Sequence, residues 1–150
     1  MTVTNHMLAG SFIAIAVKQP LLALPLAAAS HFILDALPHF GYRRGSYTEM
    51  FKHRLAYVVS AFDVIGVLLL CLTVLSQNWI IFAGALLAAL PDISWPYRYY
   101  YYERHGHLPP ESAYTRFHYK IQWCERPWAL IIEALFFVAL FMLIGRYIAA

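Results

Sequence analysis

Pro127-Trp128-Ala129-Leu130-Ile131-Ile132-Glu133-Ala134-Leu135-Phe136-Phe137-Val138-Ala139-Leu140-Phe141-Met142-Leu143-Ile144-Gly145-Arg146-Tyr147-Ile148-Ala149 decides the fold class. A helix needs about 20 mostly apolar residues to cross the hydrocarbon core of a bilayer. This run supplies them with one acid, Glu133, and one base, Arg146. Pro127 suits a first helical position, where its missing N–H costs nothing. Residues 55–76 form a second run of spanning length. Residues 3–17, 20–37 and 79–93 are apolar but shorter. They read as short spans packed against longer ones, or as a hairpin entering partway. Pro25 predicts a kink within 20–37, and Gln77-Asn78 reads as a minimal turn.

Composition agrees. The 150 residues are 61% hydrophobic and 13% charged, against about 25% charged in a soluble domain. The expectation is an all-α integral membrane bundle of about five helices, one transmembrane domain over residues 1–150. The net charge of +3 is modest and lies in loops, which speaks for membrane orientation and against nucleic-acid binding. Two cysteines are too few for a disulfide framework. Cys71 falls within a span and Cys124 in a polar loop, so no bridge between them is expected. No basic residue precedes Lys18, so the first apolar run does not read as a signal peptide.

Two polar loops remain. Residues 38–54 carry Arg43, Arg44, Lys52 and Arg54, and residues 97–126 carry Arg98, Arg104, Arg116, Lys120 and Arg126. If all five runs cross, both loops fall on one side, which the positive-inside rule makes cytoplasmic, together with the N-terminus. Trp95, Tyr97 and the four tyrosines of 99–102 read as an interfacial belt, and 117–124 as a short interfacial helix with Phe117, Ile121 and Cys124 on one side.

That topology gathers the metal-type side chains. His31 and Asp35 stand four apart and share a helix face. His39 follows Pro38, where the helix should stop. His6 opens the first helix on the same side, Asp92 closes the fourth, and His118 lies in the second loop. Asp63 and Glu133 sit about two turns into their helices, roughly 10 Å deep. Intramembrane ionisable groups are costly unless they pair or bind. His6, His31, Asp35, Asp92 and His118 form the candidate metal set, with Asp92 and His118 as candidate catalytic residues. Nitrogen and carboxylate donors without cysteine suit zinc first, with manganese, iron or nickel also compatible, and a mixed set leans to a catalytic site. Such an ion would activate water. His39 reads as structural, Asp63 and Glu133 as helix-pairing groups (Glu133 with Arg126 or Lys120 in reach), and His53, His105 and His107 as solvated.

Three patches resemble a known family. Asn5-His6-Met7-Leu8, Leu90-Pro91-Asp92-Ile93, and Ser30-His31 followed by Asp35 are similar to motifs of bacterial inner-membrane proteins described as membrane-bound metal-dependent hydrolases. In that family the Ser-His-x-x-x-Asp motif follows Leu-Pro-Asp, whereas here it precedes it. The resemblance implies a multi-helix membrane fold and a divalent-metal site near one membrane face, with His6, His31, Asp35 and Asp92 as its residues.

The leading expectation is a metal-dependent hydrolase of the inner membrane. Its partners would be membrane lipids and a lipid-linked or phosphate-containing substrate, which loop arginines would recognise. The second reading is a non-enzymatic scaffold or small transport subunit whose His and Asp residues serve packing or ion passage. A transporter would place its polar groups near the midplane, within inverted repeats, and the sequence has neither.

Overall fold

A computed structural model describes residues 1–42, 47–74, 78–107, 110 and 112–149. Among them every regular element is helical: α1 Val3–Val17, α2 Pro20–Ala36, α3 Tyr47–Met50, α4 Arg54–Thr73, α5 Trp79–Ala89, α6 Ser94–Tyr101, α7 Ala113–Ile121 and α8 Leu130–Ala149. Arg43, Arg44, Ser76 and Gln77 lie outside the described residues, and with them part of the first basic loop and the expected turn.

The five apolar runs are helical, with two corrections. The fourth does not end at Ile93. Pro91 has no N–H for the carbonyl four residues back, so the chain tightens into a 3-10 turn over Leu90–Ile93 and continues as α6. Trp79–His105 is therefore 27 residues of continuous helical chain, and Tyr97 to Tyr101 are helical rather than loop residues. With Arg54–Thr73 and Pro127–Ile148 it makes, among the described residues, three helices long and apolar enough to cross a membrane. The second correction concerns the interfacial helix. It starts four residues earlier than 117 and ends at Ile121, because Ser112 caps it by accepting a hydrogen bond from the Thr115 N–H at 3.0 Å. α2 runs on through Pro25.

The short first helix is the axis of the bundle. α1 packs against α2, α4, α5 and α8, and every residue from Thr4 to Ser11 is buried. A helix buried all round needs no polar face. Around it the outer helices turn apolar side chains outward: Leu72 is 76% exposed, Ile131 68% and Leu21 82%. A shell of that kind fits lipid rather than water.

Small residues set the closest approach. A Cβ on Gly10 would overlap the Gly84 carbonyl oxygen, and one on Gly84 would lie 2.7 Å from the Gly10 oxygen. Ala14 and Ala88 stand one turn on from each glycine and meet the same seam. This is the small-residue packing that brings membrane helix backbones together.

Two acids inside the bundle pair between helices. Asp63 of α4 accepts the Val3 and Thr4 N–H groups at 3.0 and 2.8 Å, capping α1 from a neighbouring helix. Glu133 of α8 accepts from the Thr2 N–H at 3.0 Å and the Phe40 N–H at 2.8 Å. Asn5 reaches its carbonyl at 3.1 Å. Glu133 thus ties the start of α1 to the α2–α3 connection, in place of the expected Arg126 or Lys120. Asp63→Ala leaves two α1 donors without acceptors and is expected to cost about 1–3 kcal/mol. A lowered thermal midpoint with unchanged helicity is the readout.

Candidate metal centre

α2 ends because Leu37, before Pro38, is extended at φ −80° and ψ 160°. Asp35 therefore sits in the last helical turn, where the helix dipole disfavours a carboxylate, and it is wholly buried. The neighbours compensate. Asp35 Oδ2 is 2.9 Å from His118 Nε2 and 3.3 Å from His31 Nε2. Gln122, one turn on from His118, donates to the same oxygen at 3.1 Å. Asp35 Oδ1 is 3.1 Å from His6 Nε2 and 2.7 Å from the Met1 amino nitrogen.

His31 is oriented by the α1–α5 seam. Its Nδ1–H donates to the Ala88 carbonyl at 2.8 Å, which leaves Nε2 as the lone pair facing the acids. Asp92 enters from the 3-10 turn that Pro91 creates, its Oδ1 3.8 Å from His31 Nε2 and 4.0 Å from His118 Nε2. His118 comes from α7, with its Nε2 3.1 Å from that of His31.

His31, Asp35, Asp92 and His118 thus offer donor atoms that all lie within 4.8 Å of one another, and the group could hold a metal ion. Ligands about 2.0–2.1 Å from zinc at tetrahedral angles stand about 3.3–3.4 Å apart. The measured separations of 2.9, 3.1, 3.3, 3.8 and 4.0 Å straddle that value. Two ring nitrogens turned toward each other and toward two carboxylates fit an ion better than they fit one another.

The expected residues divide clearly. Four of the five form this group. His6 lies against it, its ring stacked on His31 with centroids 4.0 Å apart. His39 is elsewhere: Nδ1 donates to the Leu37 carbonyl at 2.8 Å, Nε2 is 3.6 Å from Glu125, and its own carbonyl accepts from the Arg126 N–H at 3.0 Å. It stitches the two polar loops together on one end of the bundle. His53 stacks on Tyr42, and His105 and His107 are exposed. Cys71 and Cys124 are free thiols.

The centre has a closed side and an open one. His31 and Asp35 are wholly buried, while the Asp92 and His118 side chains are 13% and 14% exposed. These two line a cleft with Tyr47, Arg98, Tyr114 and Tyr119. Arg98 donates to the Tyr119 hydroxyl at 2.7 Å and lies over its ring, and its buried Nε has no partner among the described residues. Burial and then the Asp92 charge push the Tyr47 and Tyr114 phenols above their usual range. Burial also raises Tyr119, outweighing Arg98 beside it. All three stay protonated donors at neutral pH. Sequence reasoning left Tyr47, Gln122, the Gly10–Gly84 seam and the specific choice of Arg98 unremarked. The i, i+4 spacing of His118 and Gln122 was the one available signal.

The chain gives no significant match to any protein-family model, curated protein or solved structure.

Proposed function

We propose that this chain is a membrane-embedded, divalent-metal-dependent hydrolase acting at the cytoplasmic face on a phosphate-containing, lipid-linked substrate. The observation that carries the reading is the convergence of His31 and Asp35 of α2, Asp92 of the 3-10 turn and His118 of α7 beside a cleft holding Arg98. The motif resemblance to membrane-bound metal-dependent hydrolases supports it. The metal, zinc in the first instance, would supply activated water and polarise a phosphoryl oxygen. Asp92 and His118, at the open side of the group, would hold the ion where substrate enters. Arg98, with an Nε unpartnered among the described residues and a phenol-anchored fork, is placed to hold an anionic oxygen. Tyr114 and Tyr119 offer further donors. The cytoplasmic assignment rests on charge: Lys52, Arg54, Arg104, Arg116, Lys120 and Arg126 belong to the two polar stretches 38–54 and 97–126. Clustering of the ionisable groups at one end, rather than at mid-depth, speaks against an ion pathway.

The test is hydrolysis of a soluble aryl phosphodiester and of a lipid phosphoester by the full chain in nanodiscs, with Zn²⁺ or Mn²⁺ added. Metal-dependent turnover is expected, lowered about 100-fold or more in kcat by Asp92→Asn or His118→Ala. Arg98→Met should lower kcat/KM about 10–100-fold through a charged hydrogen bond lost. Metal-bound protein inert on both kinds of phosphoester would remove the hydrolase reading.

A further inference from the structure

The two acids at the centre divide their oxygens between two sides. Asp35 gives Oδ2 to His31 and His118, at 3.3 and 2.9 Å, and Oδ1 to His6, at 3.1 Å. Asp92 does the same: Oδ1 faces His31 and His118 at 3.8 and 4.0 Å, and Oδ2 faces His6 at 3.7 Å. A carboxylate serving one ion has no need to present its second oxygen to another imidazole. Two carboxylates that both do so have the arrangement of bridging ligands.

The imidazoles agree with this. The His6 and His31 rings are stacked 25° from parallel, with centroids 4.0 Å apart, and both aim Nε2 at the same pair of acids. Ions held by the two nitrogens would stand about as far apart as the rings, and paired ions in hydrolytic sites lie about 3.5–4 Å apart. His6 is wholly buried, and its Nδ1 has no partner among the described residues.

We propose that the centre binds two divalent cations bridged by Asp35 and Asp92, one completed by His31 and His118 and the other by His6. The inference builds on the metal-dependent reading above and narrows its substrate. One divalent ion would only neutralise the two aspartates, whereas two leave a doubly positive platform beside Arg98. That charge suits a phosphate monoester dianion better than a neutral ester or amide.

Manganese alone is the probe. The full chain in detergent, stripped by chelator and titrated with Mn²⁺, is followed by metal analysis and electron paramagnetic resonance. Two ions per chain and an exchange-coupled signal are expected in wild type. His6→Ala and His6→Gln should each fall to one ion and lose the coupling. One uncoupled ion in wild type, with either His6 variant unchanged, overturns the second site. The hydrolase reading survives that outcome if turnover on phosphoesters persists. No bound ion in folded protein overturns both. The wild-type spectrum decides the matter even where a His6 variant fails to fold.

Discussion

Asp35→Ala, purified in detergent, will lose the divalent metal that wild type retains. The effect is expected to exceed the roughly 10–100-fold loss of affinity typical of outer-shell partners, because Asp35 touches every other member of the set except Asp92. It meets His118 at 2.9 Å, His6 at 3.1 Å and His31 at 3.3 Å. Removing it takes away the carboxylate around which the imidazoles gather. His31→Ala should do the same by a different route, since its Nε2 is held in place by the Nδ1–H bond to Ala88 at 2.8 Å. Mass-spectrometric metal content, wild type beside both variants, is the measurement. Near-stoichiometric metal in wild type and little in the variants is the expected result. Equal metal in all three would mean that the ion, if any, is held elsewhere. Loss of metal should also lower the thermal midpoint, because an ion that binds only the folded chain stabilises it by mass action.

The largest effect on stability is expected from Gly84→Val or Gly10→Val. At Gly84 a Cβ alone would lie 2.7 Å from the Gly10 oxygen, and backbone cannot step aside as a flexible side chain can. Overpacking a well-packed seam typically costs about 1–3 kcal/mol, and here the obstacle is main chain, so about 3 kcal/mol or more is expected. The midpoint of denaturant or thermal unfolding in detergent checks it. Metal content should fall in the same variants although neither glycine is a ligand. The seam fixes Ala88, Ala88 fixes the His31 tautomer, and the 3-10 turn that follows α5 carries Asp92. A glycine variant with normal metal content and a midpoint within a degree of wild type would show that the helices do not meet as described.

The amino-acid sequence settles the helical nature of this protein and most of its boundaries. Runs too apolar to face water and long enough to hydrogen-bond internally have one solution in lipid, the helix. Hence 3–17 and 20–37 emerge as Val3–Val17 and Pro20–Ala36, with Lys18 at φ 58° turning the chain between them. The i, i+4 pair of His31 and Asp35 was equally legible, because one helical turn places both on one face without help from the rest of the chain. The convergence of Asp92 and His118 on that pair followed from counting crossings.

Other features depend on how the helices meet, and local pattern does not carry that information. Burial of α1 on every side was hidden because its residues look like any short apolar run. Its central place comes from Gly10 and Ala14 fitting Gly84 and Ala88, a match between positions 70 or more residues apart. The continuation of α5 into α6 was hidden behind Pro91, which usually ends a helix and here only tightens it. The orientation of each Asp35 and Asp92 oxygen, and the stacking of His6 on His31, exist only once α1, α2, α5 and α7 are assembled. Sequence names the donor types and the side on which they gather. Close backbone approach at Gly10 and Gly84 seats α1 against α5, and that packing helps decide which donors of separate segments face one another.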